Sequence, residues 1–311
     1  MRLAFLGSPP FAAPAFAALC ARPEPPVVLV TAPARRAGRG RREAQNPLVV
    51  RAQAAGIPIL RPERASDPGF LVDLARFRPD LGVVVSYGQL LRRELLDLPR
   101  FGCINLHASL LPRWRGASPI QAAILAGDER TGVCLQRVVL ELDAGPVLAA
   151  RETAIGPRET AAELAPRLAE LGAELLRDFL DGIGAGPLPP GRPQDEEAVT
   201  VCRRLKRSSA RIDWTRSATE IDRLVRAMAG WPVAFTTLPD GEELRIHAGE
   251  PEARGSREAD PGTILGVEAG ITVACGEGVF RIQRLQRPGR AVLAAAEFLR
   301  GRTLRPGEIL G

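Results

Sequence analysis

A chain of 311 residues, 45% hydrophobic and 25% charged, exceeds the usual size of one domain and can bury a core without disulfides or metal staples, so two domains are expected. The five cysteines (Cys20, Cys103, Cys134, Cys202, Cys275) are odd in number and form no C-x-x-C pair, which argues against a disulfide framework and a zinc knuckle and points to a reducing compartment. The net charge of +6, carried by arginines with Lys206 the only lysine, allows a polyanionic partner without requiring one.

Met1-Arg2 passes straight into the strand-like run Leu3–Leu6, with no apolar leader, so a soluble cytoplasmic protein is expected. Further apolar runs follow at Val27–Ala32, Ile57–Leu60, Leu81–Ser86 and Cys103–His107, separated by helical patterns. That alternation predicts βαβ units and a mostly parallel, Rossmann-like sheet. Asn46-Pro47, Asp67-Pro68 and Ser118-Pro119 each set a capping side chain before a proline suited to a first helical turn. The first strand ends in Gly7-Ser8-Pro9-Pro10-Phe11 rather than G-x-G-x-x-G. Two prolines there remove donors that a phosphate cradle would use, so nicotinamide chemistry is not expected.

After the second strand comes Ala34–Arg42, in which Arg35, Arg36, Arg39, Arg41 and Arg42 stand among two glycines and no large apolar residue. A solvated loop is one reading and a phosphate-contacting loop the other; its place after a strand, at the ligand edge of an open α/β sheet, favours the second. Cys103–His107 ends at the same edge. Asn105 and His107 alternate there with Ile104 and Leu106, so an extended segment turns both polar groups to one side. An imidazole exchanges protons near neutral pH and an amide N–H can hold a developing oxyanion. Gly132–Val139 reads as a strand, followed by Glu141-Leu142-Asp143-Ala144-Gly145-Pro146, where Asp143 sits at a turn and is the expected partner of His107. No nucleophilic Ser or Cys stands out: Ser109 leads into Leu110-Leu111-Pro112, a ligand-shaping turn rather than a nucleophile elbow.

An apolar run Val147–Ile155 precedes an amphipathic helix from about 159 to 183, with Leu164, Leu168, Leu171, Leu175 and Phe179 at three- and four-residue intervals and Pro166 near its start. Domains are expected at 1–185 and 206–311 with a Pro/Gly-rich linker at 186–205. Beyond it, a helix at about 218–228 and short strands near 233–238, 243–247, 263–268, 271–275 and 279–285, with turns at Asp240-Gly241, Ala269-Gly270 and Glu277-Gly278, predict a small OB-like β-barrel. His247, alone on one of these strands, is read as a structural histidine.

The string Asn105-x-His107-x-Ser109-Leu110-Leu111-Pro112-x-x-Arg115-Gly116, with Ala117–Gln121 after it and Leu142-Asp143-x-Gly145 later, resembles the folate-dependent formyltransferases. The resemblance covers almost the whole chain: Gly7–Ala12 is similar to the opening turn, Ala37–Gly40 to a basic loop, Val83–Gly88 to a strand lining the folate pocket, and Ala210–Trp214, Gly230–Pro232 and Ala234–Thr236 to the C-terminal domain of the members that act on charged tRNA. It departs at Ala144-Gly145-Pro146, where members commonly carry Thr-Gly-Asp, and in having arginines for the usual lysines.

The resemblance implies transfer of the formyl group of 10-formyltetrahydrofolate to the free amine of methionine esterified to initiator tRNA, without a metal, by a monomer with no membrane partner. It implies catalytic roles for Asn105, His107 and Asp143, folate contacts, largely through backbone, at Ser109, Leu110, Leu111 and Pro112, a methionine contact at Phe11, and tRNA contacts in the arginine loop. The rival reading is a formyltransferase for a small amine such as a nucleotide-linked amino sugar; the arginine loop and Arg203-Arg204-Leu205-Lys206-Arg207 weigh against it, since a small acceptor requires neither. A non-catalytic RNA-binding protein would not require the Asn/His/Asp set.

Overall fold

The computed structural model describes residues 1–33, 46–252 and 259–311. These form two compact units, one made of 1–119, 130–154 and 165–202 and the other of 120–129, 155–164 and 203–311. The arginine loop, Arg35 to Arg42, lies outside the described residues.

In chain order the elements are β1 (Leu3–Gly7), α1 (Ala12–Cys20), β2 (Val28–Val30), α2 (Pro47–Ala54), β3 (Ile59–Leu60), α3 (Pro68–Arg76), β4 (Leu81–Val85), α4 (Arg93–Leu96), β5 (Cys103–His107), β6 (Arg115–Gly116), α5 (Pro119–Ala126), β7 (Arg130–Arg137), β8 (Val147–Ala154), α6 (Ala161–Ile183) and β9 (Val201–Cys202). Seven strands make one sheet in the order β3-β2-β1-β4-β5-β7-β8. The first five run parallel; β7 pairs antiparallel with β5 and β8 with β7. Strands β1, β2 and β4 are buried on both faces, which is why they read as unbroken apolar runs. One face packs Ala4, Leu6, Val28, Val30 and Val84 against Phe70 and Leu74 of α3; on the other, Phe5 meets Phe16 of α1 with ring centroids 4.9 Å apart. The caps expected at Asn46 and Asp67 are present, Asn46 accepting from the Leu48 N–H and Asp67 from those of Gly69 and Phe70.

Helix α6 buries Leu164, Leu168 and Leu175 of the expected row and extends it through residues that were not expected. Leu168, Leu176 and Leu180 are fully buried at a spacing of four with Gly172 among them, whereas Leu171 and Phe179 flank the row. A Cβ on Gly172 would come within 2.7 Å of Leu106 Cδ2, so the missing side chain is what lets the helix seat on β5. Counting apolar side chains passes over a glycine in such a row.

The segment after α6 is tied down along much of its length. Arg192 exchanges two backbone hydrogen bonds of 2.8 Å with Val147, and β9 pairs parallel with β6. A Cβ on Gly116, whose φ is +119°, would meet the Cys202 carbonyl oxygen at 2.1 Å, so only glycine permits this pairing.

The second unit holds α7 (Ala218–Ala227), β10 (Ala234–Thr237), β11 (Glu243–Glu252), β12 (Ile264–Gly266), β13 (Ile271–Ala274), β14 (Val279–Gln286), β15 (Leu293–Ala294) and α8 (Ala295–Gly301). Its strands form an antiparallel sheet, β10-β11-β14-β13-β12 with β15 on β14, curled into an OB-like half-barrel. Trp214, Ile221, Val225, Ile246, Phe280 and Ile282 fill its core. Residues 155–164 belong to this unit because Arg158 pairs with the buried Asp222 at 3.0 Å and Arg226 donates to the Glu159 carbonyl at 3.2 Å. His247 Nε2 lies 3.1 Å from Gln286 Oε1 on β14, in keeping with its structural reading.

Candidate active site

Strand β5 delivers the central pair. Asn105 stands opposite Gln136 of β7 and His107 opposite Cys134, while Leu106 between them points to the other face, against Gly172. Beyond His107 the chain turns through Ser109–Arg113; Ser109 is fully buried and its hydroxyl donates to the Arg113 carbonyl at 2.6 Å. That hydroxyl is committed to closing the turn, which fits its exclusion as a nucleophile. Leu111 packs with Cys134, Val147 and Leu110, so what the turn has to offer a ligand is mainly backbone. The Cys134 thiol beside His107 is no nucleophile either, because burial pushes its pKa up to about 11.

Asp143 arrives on the loop between β7 and β8 in a left-handed conformation, φ +51°. The loop folds close against β7: a Cβ on Gly145 would fall 1.7 Å from the Arg137 carbonyl oxygen, so glycine is required there. Asp143 Oδ1 accepts from Gln136 Nε2 at 2.8 Å and from Asn105 Nδ2 at a long 3.4 Å; Oδ2 accepts from the Gly116 N–H at 2.8 Å and lies 3.7 Å from His107 Nδ1. The last separation is too long for a hydrogen bond. The Trp114 carbonyl lies 2.9 Å from His107 Nε2; an acceptor at that nitrogen assigns it a hydrogen. Both side chains of the pair are at least nine-tenths buried, at 6% and 10% exposure.

The structure therefore brings Asn105, His107 and Asp143 together, with Ser109–Pro112 in the adjoining turn. Phe11 is half-buried at the head of α1, at the carboxyl end of β1 and two strands from β5. Three groups around Asp143 went unread in the sequence: Gln136, the Gly116 N–H and Gln194. Gln194 Nε2 donates to the main-chain oxygens of Asp143 and Gly145, each at 2.7 Å. Only Gln136 left a signal, a polar residue in an apolar strand that faces the candidate Asn across the sheet.

A cavity of about 340 Å³ opens between Arg93, Leu96, Asp97 and Cys103 on one side and Val139, Leu140 and Glu141 on the other, two residues in sequence from both Asn105 and Asp143. Its size is that of a small-molecule site. Tyr87 packs in the cluster that holds Leu96, Cys103 and Val138, and its buried phenol oxygen has no hydrogen-bond partner. Burial pushes that phenol's pKa up to about 12, so it remains a neutral donor.

A mostly parallel α/β sheet with an amide, an imidazole and a carboxylate converging at one strand end, followed by an OB-like half-barrel, matches a known pairing of domains. Residues 1–180 match the formyl transferase family and residues 204–303 the formyl transferase C-terminal domain; the chain belongs to the formyl transferase family. It is 46% identical over 311 residues to the methionyl-tRNA formyltransferase of Methylococcus capsulatus, covering 100% of both chains, and 46% identical over 308 residues to that of Gluconobacter oxydans, covering 99% of both. Among solved structures it shares the fold of WlaRD, a sugar 3N-formyltransferase crystallised with dTDP and 5-N-formyl-THF, at a TM-score of 0.69 and 14% identity over 94% of this chain and 99% of that one. HypX from Aquifex aeolicus in complex with tetrahydrofolic acid is similar at a TM-score of 0.62 and 20% identity, over 96% of this chain and 47% of that one.

Proposed function

We propose that this protein transfers the formyl group of 10-formyltetrahydrofolate to the α-amine of methionyl initiator tRNA. The observation that carries the reading is the convergence of Asn105, His107 and Asp143 in a chain that matches methionyl-tRNA formyltransferases end to end, half-barrel included. The cavity beside β5, with Leu96, Val139 and Leu140 in its walls, fits a folate ring, which needs apolar walls and a few hydrogen-bonding groups. Arg93, Asp97 and Glu141 supply polar groups at the cavity, and the turn Ser109–Pro112 offers its backbone. No helix among the described residues is long and apolar enough to cross a membrane; we take the enzyme to act in the cytoplasm as a monomer.

The folate supplies an activated formyl group; the chain's own residues position it and hold charge. Asn105 Nδ2, engaged only at 3.4 Å, is the donor free to turn to the formyl oxygen as negative charge develops there. His107 becomes a second donor if Nε2 exchanges the Trp114 carbonyl for that oxygen, and catalytic contacts commonly tighten only when substrate binds. Asp143, the carboxylate facing His107, balances an imidazolium and accepts through a water the proton that the attacking amine loses; that proton then goes to the folate nitrogen as its bond to the formyl carbon breaks. The arginine loop and the arginines entering the second unit supply phosphate contacts, and Phe11 borders the methionine.

Labelled formyl transfer from 10-formyltetrahydrofolate to charged initiator tRNA, with charged elongator methionyl-tRNA as control, tests the proposal. Preferential labelling of the initiator is expected, weakening steeply as salt rises. Equal labelling of both would refute the specificity, and labelling of an amino-sugar nucleotide alone would establish the small-amine reading instead.

A further inference from the structure

We infer that Gln194, in the segment that follows the catalytic sheet, is a positioning residue for Asp143; the inference rests on the reading of Asp143 as the catalytic carboxylate. One amide nitrogen has three acceptors for its two hydrogens: the Asp143 and Gly145 carbonyls at 2.7 Å each, which it grips on either side of Ala144, and Gln136 Oε1 at a long 3.4 Å. The other end of the amide is fixed: Gln194 Oε1 accepts from Arg115 Nε at 2.9 Å. A donor on one side and two carbonyls on the other leave only one sense for the amide. Arg115 is in turn held by Glu196, whose two oxygens accept from its terminal nitrogens at 2.8 and 3.2 Å.

This clamp acts mainly on the backbone and touches the carboxylate's contacts only through the long approach of Gln194 Nε2 to Gln136 Oε1, at 3.4 Å. Gln136, Asn105 and the Gly116 N–H meet the Asp143 side chain, whereas Gln194 holds its backbone, which sits at φ +51° where a residue with a Cβ needs support. Arg115 and Gly116 form β6, which pairs with β9, so the strand that carries the clamp also supplies the N–H on Asp143 Oδ2. The stretch from Gln194 to Cys202 thereby belongs to the active site as a backing for its carboxylate.

Gln194→Met keeps length and volume and removes both donors. Single-turnover formyl transfer is expected to slow by about 10- to 100-fold, the scale of a misplaced catalytic group. The Michaelis constants for folate and charged tRNA and the melting temperature should stay near those of wild type. In an Asp143→Asn background the same change should cost little more, since it acts through Asp143. Gln194→Glu adds a pH readout: its carboxylate repels both carbonyls, and protonation restores one donor, so its deficit relative to wild type should shrink as pH falls towards the ordinary glutamate range. Glu63→Ala, an exposed change in the loop between β3 and α3, is the control. Wild-type rates in Gln194→Met, a rise in Michaelis constant alone, or an undiminished loss in the Asp143→Asn background would overturn the inference. A wild-type protein that formylates no tRNA would instead defeat the functional reading. Even then, a crystal structure of Gln194→Met bears on the clamp: a displaced Asp143 turn supports it and an unmoved one overturns it.

Discussion

Asp143 shows how much support the fold gives a single carboxylate. It holds a left-handed backbone, takes four neighbours on its carboxylate and lends its main-chain oxygen to a fifth. Gly145 tests how tightly that arrangement is built. A methyl group there would overlap the Arg137 carbonyl, so Gly145→Ala must push the loop off β7. We expect a fall in the transfer rate of at least about tenfold, together with a stability loss of about 1–3 kcal/mol, the usual cost of overpacking, read by urea denaturation. An unchanged rate would mean that the Asp143 turn tolerates displacement. The candidates Asn105, His107 and Asp143 were legible in sequence because their side chains are polar groups set at the end of an apolar strand or at a turn, and the structure brings them together. Gln194 was not legible. A glutamine in a polar, proline-rich stretch carries no periodic signal, and its partners lie 49 and 51 residues away.

Elements were legible where local chemistry decides them. Asn46 and Asp67 cap helices ahead of prolines, and the continuous apolar runs became buried parallel strands. The two-residue strands β6 and β9 were not, since neither has a pattern of its own and each exists only by pairing with the other. The pairing is braced by Arg115 against Glu196. The Arg115 hydrogen bonds hold the Glu196 carboxyl below its ordinary value of 4.5. A carboxyl whose pKa is depressed in the folded protein contributes most above that ordinary value and loses its contribution as pH falls through the depressed one. The brace is therefore complete at neutral pH and released in acid. Glu196 is exposed, so the effect should be local rather than global. Limited proteolysis between residues 186 and 200 should quicken as pH drops below about 4.5, measured with an acid-tolerant protease, and Glu196→Gln should remove the pH dependence. Cleavage that varies with pH equally in both proteins would assign the release to another group.

At the scale of the whole chain, the sequence divides between the sheet and the barrel. The structure also assigns 120–129 and 155–164 to the second unit, a grouping made by long-range contacts such as Arg158 with Asp222 that no linker composition signals. The curled sheet of that unit has edges at β10 and β12, and residues 308–311 lie between them. Gly311 exchanges two backbone hydrogen bonds with Thr237 at 2.7 and 2.9 Å, Leu310 donates to Gly262 at 2.9 Å, and Ile264 donates to Glu308 at 2.8 Å. Leu310 is buried in the barrel core, and the Thr236 hydroxyl, which accepts from Trp214 Nε1 at 2.9 Å, donates to Gly311 at 3.0 Å. The tail thus caps two strand edges that would otherwise expose unpaired backbone. Burial of Leu310 is worth about 1.5–3 kcal/mol, and each backbone bond about 0.5–1.5 kcal/mol. Deleting residues 308–311 should therefore cost several kcal/mol, a large part of a typical domain's stability. The expected readout is a lower urea midpoint for the fluorescence of Trp214, with its emission shifted to the red as water reaches the indole. Leu310→Ala, which keeps the backbone bonds, should give a smaller shift in midpoint and little change in emission. An unchanged midpoint in the truncated protein would show that the sheet edges are held by something other than the tail.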